Sequence, residues 1–372
     1  MLRTKVLVIG GGPAGSAAAR ILAKEGFDTL LVERNFSFVK PCGGGIPSPA
    51  FNELDLPKDA INTCVKSVKV VSPKGEELQI SLSGGTIAIV ERSNFDPLLR
   101  RKAEEAGALL LEARFSGFKK VGKTMTAEVV AEDGHVDVCA DYVIAADGVN
   151  SSVRRALNIK PVPSFLTMTE KRRGAHTDSC EFWFGSNHAP RFYSWVFPTD
   201  SGISVGTGST DSRIVKVFLD RFIERRGLSD CRGRGEGDGQ ISLRAYKIPF
   251  WQDDLYRKGR VLFVGDAAGQ VMPMSYEGIY YAMKSGEFAA RAILEGKMKG
   301  YRALWRKRFS KSFFIMKRLW EYFLKDDERA DKLVQLLKRP QVQCAAMGLW
   351  LKKDVKRETI LSYISLFKEF LG

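Results

Sequence analysis

Glycine and acidic residues near the N-terminus have the spacing of a dinucleotide-binding site. Gly10, Gly12 and Gly15 fit the pattern G-x-G-x-x-G, with Ala14 inside it. Glycines at these positions permit a tight turn and a close approach of the backbone to a pyrophosphate. Glu33 follows Gly15 by 18 residues, where a carboxylate can accept hydrogen bonds from ribose hydroxyls and repel a 2′-phosphate. The pattern predicts NAD or FAD and does not choose between them.

A β-α-β unit is predicted to position this turn. Residues 4–9 form an apolar run of strand length, residues 16–25 have a helical composition, and residues 28–32 form a second apolar strand that ends at Glu33. Such a unit requires a parallel sheet, and the N-terminus of its helix presents free N–H groups to an anion.

Three distant segments favour FAD. Asp147 and Gly265-Asp266 each follow an apolar strand, over residues 141–146 and 261–264, and Arg92 lies within residues 91–96. These segments resemble the FAD-dependent family of aromatic hydroxylases, squalene-type epoxidases and geranylgeranyl reductases. The resemblance implies that Asp266 contacts the ribitol chain, that Arg92 contacts the cofactor and that Asp147 packs near it.

Further motifs are similar to those of geranylgeranyl reductases. They are the loop P-C-G-G-G at residues 41–45, the motif Y-S-W-V-F-P at 193–198 with Val205-Gly206 after it, and P-M-S-Y-E-G-I at 273–279. Tyr276 stands where the wider family often has glycine. The resemblance covers residues 1–300 and implies further cofactor contacts from Arg34, Cys42, Gly43, Gly44, Gly278 and Ile279.

The resemblance implies reduction of carbon–carbon double bonds in geranylgeranyl or related polyprenyl chains. Saturation of an isolated alkene needs a hydride, which reduced flavin N5 can supply, and a proton from a nearby acid. Cys42 is the predicted acid because its Gly-rich loop has no core pattern, although a lone cysteine is commonly structural. Tyr193 and Trp195 are predicted to line an apolar tunnel; ordinary sheet core is the alternative. The helix after Asp266 is expected to direct its positive end toward the flavin.

Composition is that of a globular protein. The 372 residues are 44% hydrophobic and 27% charged, which excludes a disordered tail protein or a polytopic membrane protein. No apolar stretch is long enough for a transmembrane helix, and no signal peptide is recognised. The six cysteines lie far apart and are expected to be reduced thiols of a cytoplasmic protein, with no metal site.

The predicted fold class is α/β: a Rossmann-type FAD-binding domain, an inserted antiparallel-sheet substrate domain and a helical C-terminal tail. The FAD-binding domain is predicted over residues 1–155 and 261–300. The substrate domain is predicted over 156–260 with parts of 60–90, because strand-like runs occur at 181–184, 192–197, 203–207 and 241–248. Residues 301–372 form the predicted basic helical region.

The C-terminal region carries most of the net charge of +15, with 20 Lys and Arg against 9 Asp and Glu from residue 291 onward. Within residues 303–324, large apolar residues recur at three- and four-residue steps and predict one apolar helical face. One interpretation is a core-packed helix; another is an interfacial helix, which would place the protein on the inner face of the membrane. Nucleic-acid binding is not expected, because no fold signature for it is present.

Two other activities stay open at this point. One alternative is another enzyme, an FAD-dependent monooxygenase or halogenase. The other is a non-catalytic protein that carries flavin and binds membrane or nucleic acid. The predicted partners are a polyprenyl lipid and an external electron donor. The donor is either NAD(P)H or ferredoxin, and the sequence does not choose between them because the chain has no second G-x-G-x-x-G unit.

Overall fold

The computed structural model describes residues 1–229, 243–353, 358, 361 and 364–367. The first two residues of the predicted strand 241–248, Cys231 and parts of the predicted tail lie outside the described residues.

The described chain alternates strands and helices before ending in helices. The strands are β1 (Leu2–Ile9), β2 (Thr29–Glu33), β3 (Gly45–Pro47), β4 (Thr63–Val65), β5 (Ser67–Val71), β6 (Glu77–Ser81), β7 (Ile87–Ile89), β8 (Leu109–Lys120), β9 (Met125–Ala131), β10 (Gly134–Ala145), β11 (Ser164–Arg173), β12 (Cys180–Trp183), β13 (Ser194–Thr199), β14 (Gly202–Ser209), β15 (Leu243–Pro249), β16 (Arg257–Lys258) and β17 (Val261–Phe263). The helices are α1 (Pro13–Lys24), α2 (Pro49–Glu53), α3 (Arg92–Glu105), α4 (Ser152–Ala156), α5 (Val215–Arg225), α6 (Ile279–Leu294), α7 (Gly300–Trp305), α8 (Lys311–Phe323), α9 (Asp327–Leu337) and α10 (Pro340–Trp350).

The predicted parallel sheet is confirmed. Strands β8, β2, β1, β10 and β17 run parallel in that spatial order, and β9 pairs antiparallel with β8 and β10. Successive residues of β1 face opposite sides: Val6 and Val8 belong to the cluster with α1, α3 and α6, whereas Leu7 and Ile9 belong to the cluster with β8 and β9. Both faces are thus covered, which explains the continuous apolar run of β1.

Helices α1 and α6 pack closely beside this sheet. A Cβ atom added to Gly286 of α6 would lie 2.1 Å from the carbonyl oxygen of Ala14 in α1. This contact packs the first turn of α1, which follows the glycine motif, directly against the middle of α6.

A second sheet of seven strands has the spatial order β15-β11-β14-β13-β12-β5-β6. All its pairings are antiparallel except that of β12 with β5. Residues 67–81 therefore join this sheet, as the sequence predicted for parts of 60–90. Strands β3, β7 and β4 form a small third sheet. The division of the chain into domains stays a prediction.

Several elements differ from the predictions, among them β11, α5 and β10. Strand β11 was not predicted, nor was helix α5, although Phe218, Leu219 and Phe222 give it a buried face. The strand predicted over residues 141–146 is the end of the longer β10. The antiparallel pairing with β9 extends β10 backward through residues that lack a continuous apolar pattern.

The apolar face predicted for residues 303–324 faces the protein interior. Trp305, Phe309, Phe313 and Phe323 have at most 1% of their surface exposed. Burial in the core therefore explains this periodicity, and the interfacial interpretation of the same face is wrong, since these rings are not free to enter lipid. Among the described helices, none combines the length and the hydropathy needed to cross a membrane.

Candidate active site

One cavity of about 380 Å³ runs between the two large sheets. Every predicted site residue except Gly15 lines it: Gly10, Gly12, Ala14, Glu33, Arg34, Cys42, Gly43, Gly44, Arg92, Asp147, Tyr193, Trp195, Gly265, Asp266, Gly278 and Ile279. We call the part around Gly10, Gly12 and Glu33 the glycine-turn end. We call the part around Tyr193, Trp195 and Tyr276 the aromatic end.

The glycine turn fits between β1 and α1 because Gly10 and Gly15 lack side chains. Gly10 has a φ of +107°, and a Cβ atom there would lie 2.3 Å from the carbonyl oxygen of Ala146. A Cβ atom on Gly15 would lie 1.9 Å from the carbonyl oxygen of Gly10. Glycine at position 15 therefore allows α1 to pack directly against the backbone of the turn. Gly12 has no atom within 4 Å of its Cβ position and leaves open space in front of the α1 N-terminus.

Glu33 ties the end of β2 to this turn. Its Oε2 accepts a hydrogen bond from the Gly11 N–H at 2.7 Å, and its Oε1 accepts one from the Asn35 N–H at 3.2 Å. Arg100, which was not predicted, donates to the Gly11 carbonyl oxygen at 3.3 Å. Arg34 lies over the ring of Phe38, with 5.6 Å from its guanidinium carbon to the ring centroid.

Asp147 and Asp266 face the cavity from two strand ends. Asp147 accepts hydrogen bonds through Oδ2 from the Ser152 hydroxyl at 2.9 Å and the Val153 N–H at 3.0 Å. Its Oδ1 is buried without a partner among the described residues. Asp266 forms an ion pair with Lys40, a contact that the sequence did not predict because Lys40 precedes it by 226 residues.

Cys42 lies beside a buried cation. Its sulfur accepts a hydrogen bond from the Gly44 N–H at 3.3 Å, and the sulfur lies near enough to the Arg92 guanidinium to interact with its charge. Arg92 donates from two nitrogens to Asp96, at 2.7 and 2.6 Å. Burial opposes the charge of Arg92, but the Asp96 carboxylate outweighs it and raises the Arg92 pKa. The arginine therefore stays charged next to the thiol.

The loop around Cys42 requires glycine for packing. A Cβ atom on Gly43 would lie 2.5 Å from the ring of Phe197. Gly44 has a φ of +74°, and its Cβ would lie 2.2 Å from the carbonyl oxygen of Val90. The two glycines thus let the loop pack against Phe197 of β13 and against the backbone that follows β7, which explains the P-C-G-G-G pattern by close contact.

Tyr193 and Trp195 form the wall of the aromatic end. The Tyr193 hydroxyl donates to the Ser275 carbonyl oxygen at 2.5 Å, and burial raises its pKa. Its ring lies 6.3 Å from that of Trp195 and 6.0 Å from that of Tyr276. A Cβ atom on Gly206 would lie 2.2 Å from the Trp195 ring. The Trp195 ring therefore packs over Gly206, and this contact explains why the motif contains both residues.

The turn before α6 is unusual in its backbone. Met274 and Tyr276 have φ values of +72° and +52°, in the left-handed region that favours glycine. Backbone hydrogen bonds of 3.0 Å join Tyr276 and Glu277 to Met272 and close the turn. Gly278 and Ile279 then start α6 at the cavity wall, so the positive end of this helix faces the cavity as predicted.

Glu277 and Lys353 form an ion pair that the sequence did not predict. Trp350, at the end of α10, also lines the cavity. No sequence motif around Trp350 or Lys353 indicates that it belongs to the site, because each residue reaches the cavity only after the C-terminal helices have packed. The residues that the structure describes contain no group of metal-ligating side chains, and their five cysteines are free.

The glycine-turn end fits FAD. It offers open space at Gly12 in front of a helix N-terminus, where a pyrophosphate would meet free N–H groups. It also presents the unpartnered Oδ1 of Asp147, a buried acceptor for a polar ligand.

Known proteins match the chain along its length. The FAD binding domain family matches residues 3–295. The chain is 31% identical to the chloroplastic geranylgeranyl diphosphate reductase of Oryza sativa subsp. japonica, over all of this chain and 86% of that protein. It is 32% identical to the digeranylgeranylglycerophospholipid reductase of Thermoplasma acidophilum, over 89% of this chain and 91% of that protein.

A solved structure agrees with these relatives. The geranylgeranyl bacteriochlorophyll reductase-like protein of Thermoplasma acidophilum superposes with a TM-score of 0.82 and 29% identity, over 99% of this chain and 98% of that one. The predicted fold class and family resemblance are confirmed. The chain belongs to the geranylgeranyl reductase family of FAD-binding proteins.

Proposed function

We propose that the protein is an FAD-dependent reductase that saturates carbon–carbon double bonds in geranylgeranyl or related polyprenyl chains. One observation carries the proposal beyond family membership: Cys42, close to the charge of the buried Arg92, lines the same cavity as the glycine turn and an aromatic wall. A proton donor, a flavin site and an apolar channel are the three parts that this reduction needs.

FAD, when bound, supplies the hydride from its reduced isoalloxazine ring. The chain binds the adenosine diphosphate part with the glycine turn, the α1 N-terminus and Glu33. Asp266, Arg92 and the α6 N-terminus face the rest of the cavity and are proposed to hold the ribitol and ring. A helix N-terminus there favours negative charge.

Cys42 is proposed to donate the proton to the alkene carbon next to the one that accepts the hydride. Donation leaves a thiolate, which the Arg92 guanidinium and the Gly44 N–H are placed to stabilise. Asp96 holds Arg92 in position through two hydrogen bonds. The step moves a proton only, and the electrons of the reduction come from the hydride.

Tyr193 and Trp195 are proposed to bind the prenyl chain and exclude water. Their rings belong to a wall that also contains Tyr276, Phe182 and Phe197, and such surfaces suit an apolar, branched chain. The Tyr193 hydroxyl is occupied by the Ser275 carbonyl, so the tyrosine offers its ring to the ligand.

The electron donor is proposed to be NAD(P)H or ferredoxin. Anaerobic stopped-flow reduction of the bound flavin by NADPH, NADH and reduced ferredoxin, followed at 450 nm, separates the two classes. Reduction by none of the three would remove this part of the proposal.

A peripheral position on the inner face of the membrane is also proposed, because polyprenyl chains reside in bilayers. The exposed surface of α8 carries Phe314, which is 54% exposed, with the Arg318 guanidinium 5.5 Å from its ring centroid. Exposed basic and aromatic groups suit anionic headgroups. We expect co-flotation with phosphatidylglycerol vesicles and not with phosphatidylcholine vesicles; equal behaviour with both would contradict the proposal.

The decisive experiment uses the holoprotein reduced with dithionite under anaerobic conditions. Geranylgeranyl diphosphate or a digeranylgeranyl glycerolipid should reoxidise the flavin, and mass spectrometry should find products heavier by about 2 Da per saturated bond. Reoxidation that requires oxygen and yields hydroxylated or halogenated product would support the monooxygenase or halogenase alternative. Binding of prenyl lipid without product would support the non-catalytic alternative.

A further inference from the structure

The C-terminal segment reaches the cofactor cavity through one buried ion pair. Lys353 donates to Oε2 of Glu277, and their side chains are only 3% and 7% exposed. Glu277 lines the cavity and directly precedes Gly278, at the start of α6. Its other oxygen, Oε1, is buried without a partner among the described residues. A carboxylate of the cavity wall thus depends on a cation 76 residues away.

Lys353 is held in place by more than its ion pair. Its ammonium lies 5.2 Å and 4.9 Å from the ring centroids of Tyr280 and Tyr281 in α6. Its backbone has a φ of +53°, a conformation that a lysine adopts only when its surroundings impose it. Tertiary contacts therefore direct this side chain into the protein.

The residues just before Lys353 also contribute to the site. Trp350 lines the cavity, with its ring 6.1 Å from that of Phe182 in an edge-to-face contact. Leu351 is fully buried and packs toward Gly85. Trp350 thus forms part of the aromatic end of the cavity, and Leu351 anchors the chain beside it in the core.

The ion pair favours the charged form of the buried Glu277 carboxylate, which burial alone disfavours. Burial raises the pKa of Glu277, and Lys353 offsets only part of that effect. Burial also lowers the pKa of Lys353, against the attraction of Glu277. The other titratable groups that face the pair are Tyr193, Tyr280, Tyr281 and, on α2, Glu53. None of these supplies a second cation to Glu277.

We propose that Lys353 is a positioning residue of the flavin site: it neutralises Glu277 and fixes the turn over residues 273–278, so that the C-terminal segment sets the electrostatics at the start of α6. The proposal rests on the FAD site and not on the identity of the substrate. Failure to reduce prenyl chains would therefore leave it standing.

The test compares Lys353→Met with Lys352→Met, a matched control on an exposed neighbouring lysine. FAD dissociation constants are measured by fluorescence, and flavin midpoint potentials are measured from pH 6 to 9. We expect Lys353→Met to bind FAD about tenfold more weakly, because it leaves a buried carboxylate without its cation. Lys352→Met should match the wild type, and Lys353→Arg should retain most of the affinity.

The potentials separate positioning from mere structural support. In Lys353→Met, Glu277 is protonated at low pH and ionises as the pH rises. The new negative charge then disfavours reduced flavin, so the midpoint potential should fall more steeply with pH than in the wild type. The additional slope should vanish in Glu277→Gln/Lys353→Met. That double variant, which buries no unpaired charge, also shows whether loss of folding explains the single variant. Wild-type FAD affinity together with wild-type pH dependence in Lys353→Met would overturn the proposal.

Discussion

The two ends of the cavity are built in different ways. The glycine-turn end consists mainly of backbone and the Glu33 carboxylate from residues 10–33, with Asp147 beside them. The aromatic end consists of side chains from β13, from the turn before α6 and from the C-terminal segment. The first end depends on the absence of side chains at a few positions. The second depends on many contacts, each of which contributes a part. Substitutions should therefore abolish function at the glycine-turn end and reduce it by degrees at the aromatic end.

The largest effect is expected at the glycine turn. Gly15→Ala places a methyl group 1.9 Å from the Gly10 carbonyl oxygen, an overlap with rigid backbone that must displace the turn from α1. We expect the purified variant to lose FAD, measured as the ratio of absorbance at 450 nm to that at 280 nm.

Gly117→Ala is the matched control, since a Cβ atom on Gly117 meets no atom within 4 Å. It should retain FAD fully, and circular dichroism should show that both variants fold. Full FAD content in Gly15→Ala would contradict the rigid-turn argument.

Cys42→Ser tests the proposed proton donor. Serine can still accept the Gly44 N–H, so the loop and FAD should be retained, but a hydroxyl is a much weaker acid than a thiol. General acid catalysis is worth about 10²–10⁴ in rate, and prenyl saturation should fall within that range. Flavin reduction by the donor should change little, which stopped-flow measurement can establish.

Cys64→Ser, at an exposed cysteine of β4, is the control for loss of a thiol and should leave saturation unchanged. If Cys42→Ser saturates its substrate near the wild-type rate, Cys42 is a structural residue of the loop and the proton comes from elsewhere.

Tyr193→Phe should have a smaller effect. It removes the hydrogen bond to the Ser275 carbonyl but keeps the ring in the wall. One hydrogen bond contributes about 1 kcal/mol, and if all of it served to orient the ring, prenyl saturation would fall about fivefold; we therefore expect a loss of at most that size, with FAD retained. Tyr142→Phe, on β10 and outside the cavity wall, should show no loss. A loss in Tyr193→Phe as large as that in Cys42→Ser would mean that the hydroxyl takes part in proton transfer.

Sequence-based prediction succeeded where the site is local. Fewer than 30 residues contain the turn, α1, β2 and Glu33, and the spacing of these residues in the sequence predicts how they are arranged. The contacts of Lys40 with Asp266 and of Lys353 with Glu277 span 226 and 76 residues. Nothing in the neighbourhood of either lysine indicates its partner, because the contact exists only after the sheets and helices have packed.

The aromatic segment 303–324, which spans the end of α7, a π-helical turn and α8, shows a related limit. Its apolar periodicity correctly predicted one buried face, but the same periodicity describes a face in lipid and a face in a core. Only the tertiary structure, in which Phe309 and Phe313 contact Trp305 and Tyr281, decides between them. The predicted roles of Cys42, Tyr193 and Trp195 stay predictions, since their placement in one cavity is compatible with the proposed chemistry but does not test it.

The smallest expected effect on activity concerns His188, which packs behind the strand that carries Trp195. Its Nδ1 lies 2.8 Å from the hydroxyl of Ser194, the first residue of β13, and the imidazole is fully buried. Burial, with a further contribution from nearby Arg225, lowers the His188 pKa from 6.5 to about 4. The folded protein therefore resists a proton that the unfolded chain accepts. The stability that depends on neutral His188 is complete above pH 6.5 and is lost as the pH falls toward 4. By linkage this loss amounts to about 3 kcal/mol.

We expect the free energy of unfolding by urea to fall between pH 6.5 and pH 4 in the wild type and to fall less steeply in His188→Gln. His135→Gln, at an imidazole that is 64% exposed, should keep the wild-type slope. Equal slopes in all three proteins would mean that His188 is not held neutral, and activity at pH 7 should be nearly the same in each.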